Sequence, residues 1–302
     1  MSTMRIGAKL PSSGGDPARL GVPVMARRLE EAGFDSVWAS DHVVMTEDTS
    51  RSYYPFGDDG SPGWDVSTPW YDALIVLAQA AAVTERVELG TAVLVLPQRH
   101  PVVLAKQVAS LDALAGGRVA LGVGAGWFRE EFEALGVEFD TRGKRFSEWL
   151  TLLRRCWDGR PGAFDGVHYQ LPEGVIHEPT PVGPVPLLIG GVSGVALRRA
   201  ATQGDGWLGL QRTDRLAPDA ARAAVERMRA EARTAGRDPA QLRVTMRTIG
   251  SAGNAETIAR ALPDLAAAGV HEVVVDTDWS VDGDEVRVLE LLRDAATGAT
   301  TS

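Results

Sequence analysis

The sequence predicts an α/β protein folded as a (β/α)8 barrel, a single domain over residues 1–302 with insertions at about 42–69 and 127–184, after its second and fourth strands. Three observations carry that prediction. Short runs rich in Val, Ile and Leu alternate with longer segments of helical period, the order of repeated βα units around a parallel sheet. The short runs number eight, the barrel number. Helix-like segments stop at a glycine just before the next run, as in Glu30-Glu31-Ala32-Gly33 and Ala266-Ala267-Ala268-Gly269, where a left-handed C-cap is expected.

The elements follow in order. Arg5 to Leu10 is the first strand, and Pro11-Ser12-Ser13-Gly14-Gly15 after it lacks the G-x-G-x-x-G turn that a doubly wound nucleotide-binding sheet would place there. Val22, Met25, Ala26 and Leu29 then recur at i, i+3, i+4 and i+7, the single buried stripe of an outer helix. The second strand, Asp35 to Ser40, is followed by a stretch too long for a simple βα loop. Its Tyr53, Tyr54, Phe56 and Trp64, set among turn formers, fit either a mobile lid over the face where barrel enzymes build their sites or a plain surface loop. Val87 to Leu96 is the third strand, and His100-Pro101 opens a helix with proline at its first position. Val119 to Gly124 is the fourth. The second insertion contains a helical stretch, Glu148 to Trp157, holding the sole cysteine, Cys156, which reads as a packed thiol. Val185 to Gly190, Gly206 to Leu210, Leu242 to Ile249 and Glu272 to Asp276 complete the set, with Ile258, Ala261, Leu262 and Leu265 forming a second helical stripe before the last.

Composition narrows the function. The 31 Lys and Arg against 40 Asp and Glu leave a net charge of −9, which argues against broad attraction to nucleic acid or to anionic membrane. Met1 to Leu10 has no signal-peptide core, and apolar stretches such as Thr91 to Pro97 fall far short of the ~18 residues of a spanning helix. A lone cysteine fits a reducing compartment, so a cytoplasmic protein is expected.

Two clusters could carry chemistry. Ser40-Asp41-His42 closes the second strand at the catalytic rim, where a carboxylate beside an imidazole orients it for proton transfer; the plainer reading is a capping Asp beside a loop His. Gly190-Gly191-Val192-Ser193-Gly194 joins the fifth strand to a helix, presenting backbone N–H groups, a hydroxyl and a positive helix end to one point, a ready phosphate site. Arg198 and Arg199 beyond it read as a solvated face. His100, His168, His177 and His271 show no metal-ligand spacing, so no metal site is expected, and no G-x-S-x-G elbow is present.

Taken together, four ordered segments resemble the luciferase-like monooxygenase superfamily, and within it the coenzyme F420-dependent oxidoreductases. They are Gly33 to His42, Leu89 to Pro97 with Arg99-His100-Pro101, Gly116 to Trp127, and Ile189-Gly190-Gly191 with Gly204 to Trp207, spanning nearly the whole chain. The resemblance implies a barrel, often homodimeric, that holds a flavin or deazaflavin at its C-terminal face and acts on a small molecule. It implies a non-prolyl cis peptide within Thr91-Ala92-Val93 against the ring, cofactor contacts from Gly124, Ala125, Gly126 and Trp127, and a phosphate held by Gly190, Gly191 and Ser193. His42 would be the proton donor or acceptor beside hydride transfer, with Asp41 as its orienting partner. The Ser-Asp-His ending favours F420; FMN-dependent monooxygenation is the alternative, and a flavin-binding barrel without catalysis the remote one. The related sugar-phosphate dehydrogenases carry Glu where this chain has Trp127, which points away from a sugar phosphate and toward a partly apolar substrate.

Overall fold

The computed structural model describes residues 4–298. Among them, eight parallel strands close into a barrel: β1 (Arg5–Lys9), β2 (Ser36–Ala39), β3 (Glu88–Val95), β4 (Val119–Gly124), then β7 (Leu187–Gly190), β8 (Gly206–Arg212), β9 (Arg243–Ile249) and β10 (Glu272–Val275), which pairs back onto β1. Two further short strands, β5 (Phe164–Asp165) and β6 (Gln170–Leu171), make a separate antiparallel hairpin. The helices are α1 (Asp16–Leu20), α2 (Val22–Ala32), α3 (Ala73–Ala81), α4 (Pro101–Leu114), α5 (Arg129–Ala134), α6 (Arg142–Trp157), α7 (Gly194–Thr202), α8 (Pro218–Thr234), α9 (Ala255–Ala267) and α10 (Asp284–Gly298). Every predicted strand is present, with ends displaced by at most two residues. No helix among the described residues is long and apolar enough to cross a membrane.

The outer helices form for the reasons read from their spacing. Val22, Met25, Ala26 and Leu29 of α2 are all buried, and burying a side chain the size of Leu29 is worth about 2 kcal/mol. The helix ends at Gly33, whose φ of +103° only glycine adopts freely while its N–H caps the carbonyls of Leu29 and Glu30. Cys156 is buried in α6, and burial pushes its thiol up, so it packs as a small apolar group.

Inside the barrel the largest side chain is Trp38. It fits because β1 and β3 present glycines to it: a Cβ on Gly90 would stand 2.2 Å from its ring, and one on Gly7 3.0 Å from Nε1. That Nε1 donates to Ser36 Oγ at 2.7 Å, and Ser36 donates to Glu272. Below it Arg243 binds both Glu88 and Glu272, closing the N-terminal end of the barrel with paired charge rather than with a channel. The cavity described below opens at the opposite, C-terminal face.

Two connections rise over that face. Residues 40–72 cross the mouth, tied near β1 by Gly14 N–H to Pro69 O (3.0 Å) and Tyr71 N–H to Ser12 O (2.8 Å), and beyond β8 by Arg215 to Asp58 (2.6 Å). Residues 125–141, with α5, cover the β4 side. The second insertion, 127–184, is spent only in part over the mouth. The hairpin backbone at Val167, His168 and Tyr169 donates to Glu148, and Trp149 donates to Tyr169 Oη at 2.8 Å, so this part lies along the outer side of α6. Residues 158–184 contribute nothing to the cavity lining.

Candidate active site

A cavity of about 1060 Å³ opens between these connections and the C-terminal ends of the strands. Its floor is apolar. The Ala92–Val93 peptide is cis, and the ladder between β3 and β4 shifts register between Thr91 and Leu94. The Val93 side chain lies between two glycines: a Cβ on Gly124 would stand 2.8 Å from its Cγ2, and one on Gly190 2.7 Å from its Cγ1. Ile189 and Leu208 continue this surface. The two glycines are therefore required by close approach, which keeps the floor broad enough for a planar group.

His42 stands at one side of the floor, buried, and its Nδ1 lies 3.1 Å from Glu131 Oε2. The other oxygen of Glu131 accepts from the backbone N–H groups of Val43 (2.6 Å) and Val44 (3.3 Å). Burial pushes the Glu131 carboxyl up, but the bonds from His42 and Val43 outweigh it and hold it below the ordinary glutamate range. An ionised carboxylate only accepts hydrogen bonds, so the proton sits on Nδ1, and Nε2 is the nitrogen left to meet a ligand. Neighbouring carboxylates of α5 continue the same work. Glu130 takes Arg51 N–H at 3.0 Å and the Ser52 hydroxyl, and Glu133 holds the Arg51 guanidinium at 2.9 and 2.6 Å. This short helix is a rack of carboxylates that fixes the start of the loop carrying His42.

Asp41 does not orient His42, contrary to expectation. Its carboxylate receives Arg99 through both oxygens, at 2.6 and 2.7 Å, and the N–H of Val95 at 3.1 Å. Arg99 also reaches Asp72, at 3.4 Å, which caps α3. With Arg99 and the Val95 N–H on its two oxygens, Asp41 staples the end of β2 to the end of β3 and the turn after it, while Glu131 takes Nδ1 of His42. Burial pushes its carboxyl up, and Arg99 pulls against that.

Aromatic side chains wall the His42 side. Its ring packs edge-on to Trp70 at 4.6 Å and to Trp127 at 5.8 Å, and Tyr54 from the crossing loop lies 5.0 Å from Trp127. Across the cavity, Gly191 has φ +112°, and Ser193 caps α7 by accepting from Ala196 N–H at 3.2 Å, leaving its hydroxyl proton to offer. Arg199 lines this end as well, over the Phe146 ring and donating to the neutral acceptors Gly143 O (2.5 Å) and Ser147 Oγ (3.3 Å), with no carboxylate partner among the described residues; Arg198 is the solvated one of the pair.

Of the residues singled out from sequence, Asp41, His42, Ala92, Val93, Gly124, Ala125, Gly126, Trp127, Gly190, Gly191 and Ser193 line this one cavity. Thr91 does not. It is fully buried, with its hydroxyl donating to Gly122 O at 2.7 Å, because the strand's alternation turns it away from the mouth. Trp127 stands with the crossing loop's aromatics rather than at the Gly190 turn. Glu131 and Arg199 were missed. The dense run Glu130-Glu131-Phe132-Glu133, directly after the Gly124 to Gly126 turn, was the signal for the first.

Comparison with known proteins bears on this geometry. The luciferase-like monooxygenase family model matches residues 5–285. An uncharacterised protein of Mycobacterium tuberculosis is 38% identical over 184 residues, covering 61% of this chain and 63% of its own. An F420-dependent glucose-6-phosphate dehydrogenase of Amycolatopsis mediterranei is 35% identical over 187 residues, 61% of this chain and 51% of its own. The match thus spans between about half and two thirds of the length of these relatives. Among solved structures, an F420-dependent secondary alcohol dehydrogenase holding an F420–acetone adduct superposes with TM-score 0.78 over 97% of this chain and 100% of its own, at 19% identity. The FMN-bound oxygenating component of 3,6-diketocamphane monooxygenase from Pseudomonas putida does so with TM-score 0.73 over 98% and 99%, at 15% identity. At such identities the likeness speaks for the fold alone.

Proposed function

This chain belongs to the luciferase-like monooxygenase family, and from that premise we propose that it is an oxidoreductase transferring hydride between coenzyme F420 and a small, partly apolar organic substrate. The observation that carries the reading is the His42–Glu131 pair beside the glycine-flanked floor, a positioned proton site next to a surface that accepts a planar ring. The cavity fits such a cofactor in three respects. Its volume matches that of a small-molecule site, its floor is apolar, and its far end offers the N-terminus of α7 with an Arg199 that pairs with no carboxylate among the described residues. Ala92, Val93, Gly124, Ala125 and Gly126 would lie under the ring; Gly190, Gly191, Ser193 and Arg199 would hold the phosphate.

When bound, a deazaflavin supplies a two-electron hydride carrier that reacts poorly with oxygen. The chain's own residues do the rest. His42 gives or takes the substrate's proton at Nε2, and Glu131 holds the tautomer and balances the positive charge that forms when the ring is protonated. Trp70, Trp127 and Tyr54 keep water from the proton site and favour apolar substrate surface, in keeping with the tryptophan where the sugar-phosphate enzymes have a glutamate. A cytoplasmic homodimer completes the reading. The test is to titrate the purified chain with F420 and with FMN, following cofactor absorbance and fluorescence. Saturable F420 binding is expected; tight FMN binding with none of F420 would overturn the proposal in favour of flavin monooxygenation.

A further inference from the structure

Four cations line the cavity, and their partners divide them. Arg212 is paired with Asp214 at 2.7 Å, and Arg247 with Asp276. Arg199 belongs to the phosphate end. Lys9, at the C-terminal end of β1, makes neither a hydrogen bond nor an ion pair with any described residue. The carboxylates of the lining are committed elsewhere: Asp41 to Arg99, Asp58 to Arg215, Asp276 to Arg247, and Asp59 to the N–H and hydroxyl of Ser61. A recessed ammonium without a partner is costly unless something that binds there supplies one.

Position adds to this. In the closed barrel β1 lies four strands from β7 in either direction, so Lys9 and the Gly190–Ser193 turn stand at opposite ends of the cavity. Lysine is also scarce, three residues against 28 arginines, and the other two, Lys106 and Lys144, are on the surface. At the cavity position the chain uses the compact point charge rather than the planar fork, which suits a single oxygen better than a bidentate anion.

Resting on the oxidoreductase reading above, we propose that Lys9 is a ligand-binding cation, taking an oxygen that bears negative charge at the end of the cavity opposite the phosphate turn. Two sources share that chemistry: a carboxylate of the substrate, and an imide oxygen at the distal edge of the bound ring. The charges that act on Lys9 are Arg247 from β9 and Asp276 after β10, and Asp41 and His42, after β2, line the same cavity. Burial, then Arg247, hold its ammonium below the ordinary lysine range, against the pull of Asp276, so a ligand anion arriving there raises it.

With only three lysines, [13Cε]lysine labelling of the full chain gives three NMR signals, and Lys9→Met assigns one. Should that variant fail to fold, Lys106→Arg/Lys144→Arg leaves Lys9 as the sole signal. The Lys9 signal is expected to move on adding F420, FMN or benzoate, with its titration midpoint rising by about one unit, a tenfold preference of the ligand for the charged form. Movement with cofactor alone assigns the oxygen to the ring; movement only with benzoate assigns it to the substrate. If none of the three moves it beyond Lys106 and Lys144, the proposal is overturned. Cofactor absorbance read in the same samples keeps the two readings apart: a benzoate response without cofactor binding removes the oxidoreductase reading and leaves the Lys9 site, whereas cofactor binding with a silent Lys9 does the reverse.

Discussion

Glu131→Gln tests the central arrangement of the site with the smallest change of shape. The carboxylate uses both oxygens, Oε2 for His42 Nδ1 at 3.1 Å and Oε1 for the N–H groups of Val43 and Val44 at 2.6 and 3.3 Å. An amide offers one acceptor oxygen and one NH2 donor. If the oxygen stays with Val43, the NH2 faces His42 and forces the imidazole proton onto Nε2; if it turns the other way, Val43 loses its acceptor and meets a donor. Either way one hydrogen bond to a charged group is lost, about 2 kcal/mol. Expressed in turnover this is about 30-fold; expressed in stability it lowers Tm by about 3 °C for a chain of this size. The assay is 15N NMR of histidine-labelled protein, with His42→Ala assigning the signal. The wild type should show its proton on Nδ1, and the variant should either show it on Nε2 or melt earlier. A variant that keeps the Nδ1 proton and an unchanged Tm would refute the reasoning, because Glu131 would then neither set the tautomer nor hold the loop.

Gly190→Ala places a Cβ 2.7 Å from Val93 Cγ1 and 3.3 Å from Val123 O, so it raises the floor; cofactor affinity should fall at least about tenfold, an overpacking cost of 1–3 kcal/mol, and unchanged affinity in the same titration would remove Val93 from the ring site. Arg99→Met strands Asp41 in the wall and should cost about 3–5 kcal/mol in urea unfolding, most of which Asp41→Asn/Arg99→Met recovers. Stability should also fall in acid through Glu30. Burial pushes its carboxyl up, but the N–H groups of Val87, Arg86 and Glu85 (2.9, 2.6 and 3.0 Å) outweigh this and hold it below the ordinary range. The stabilisation is therefore complete above the unfolded glutamate pKa and is lost as pH falls through the lower folded one; Glu30→Gln should flatten that part of a Tm-against-pH curve.

The strands were legible because a parallel barrel is covered on both faces, which makes each strand an uninterrupted apolar run such as Val119 to Leu121. Helix stops at Gly33 and Gly269 were legible for a local reason, the left-handed φ that each adopts. The floor of the cavity was legible through its glycines and the family resemblance, though only contact with Val93 explains why Gly124 and Gly190 must lack a side chain. Partnerships were not legible. Glu131 lies 89 residues from His42, and Arg99 lies 58 from Asp41; adjacency in sequence suggested Asp41 for His42, but barrel closure brings Arg99 to Asp41 and α5 brings Glu131 to His42.

Taken by itself, the sequence determined the barrel, the rim on which His42 stands and the turn after β7, because each depends on periodicity or on a glycine within one or two turns of chain. Only the tertiary structure decided which charges cancel. Ion pairs form between strand ends brought together by barrel closure, so the same inventory of Asp, Glu, Arg and Lys leaves Asp41 neutralised by Arg99, Asp276 by Arg247, and Lys9 with no partner among the described residues. That residue charge, at the opposite end from the phosphate turn, depends on distance in space, which the order of residues along the chain does not contain.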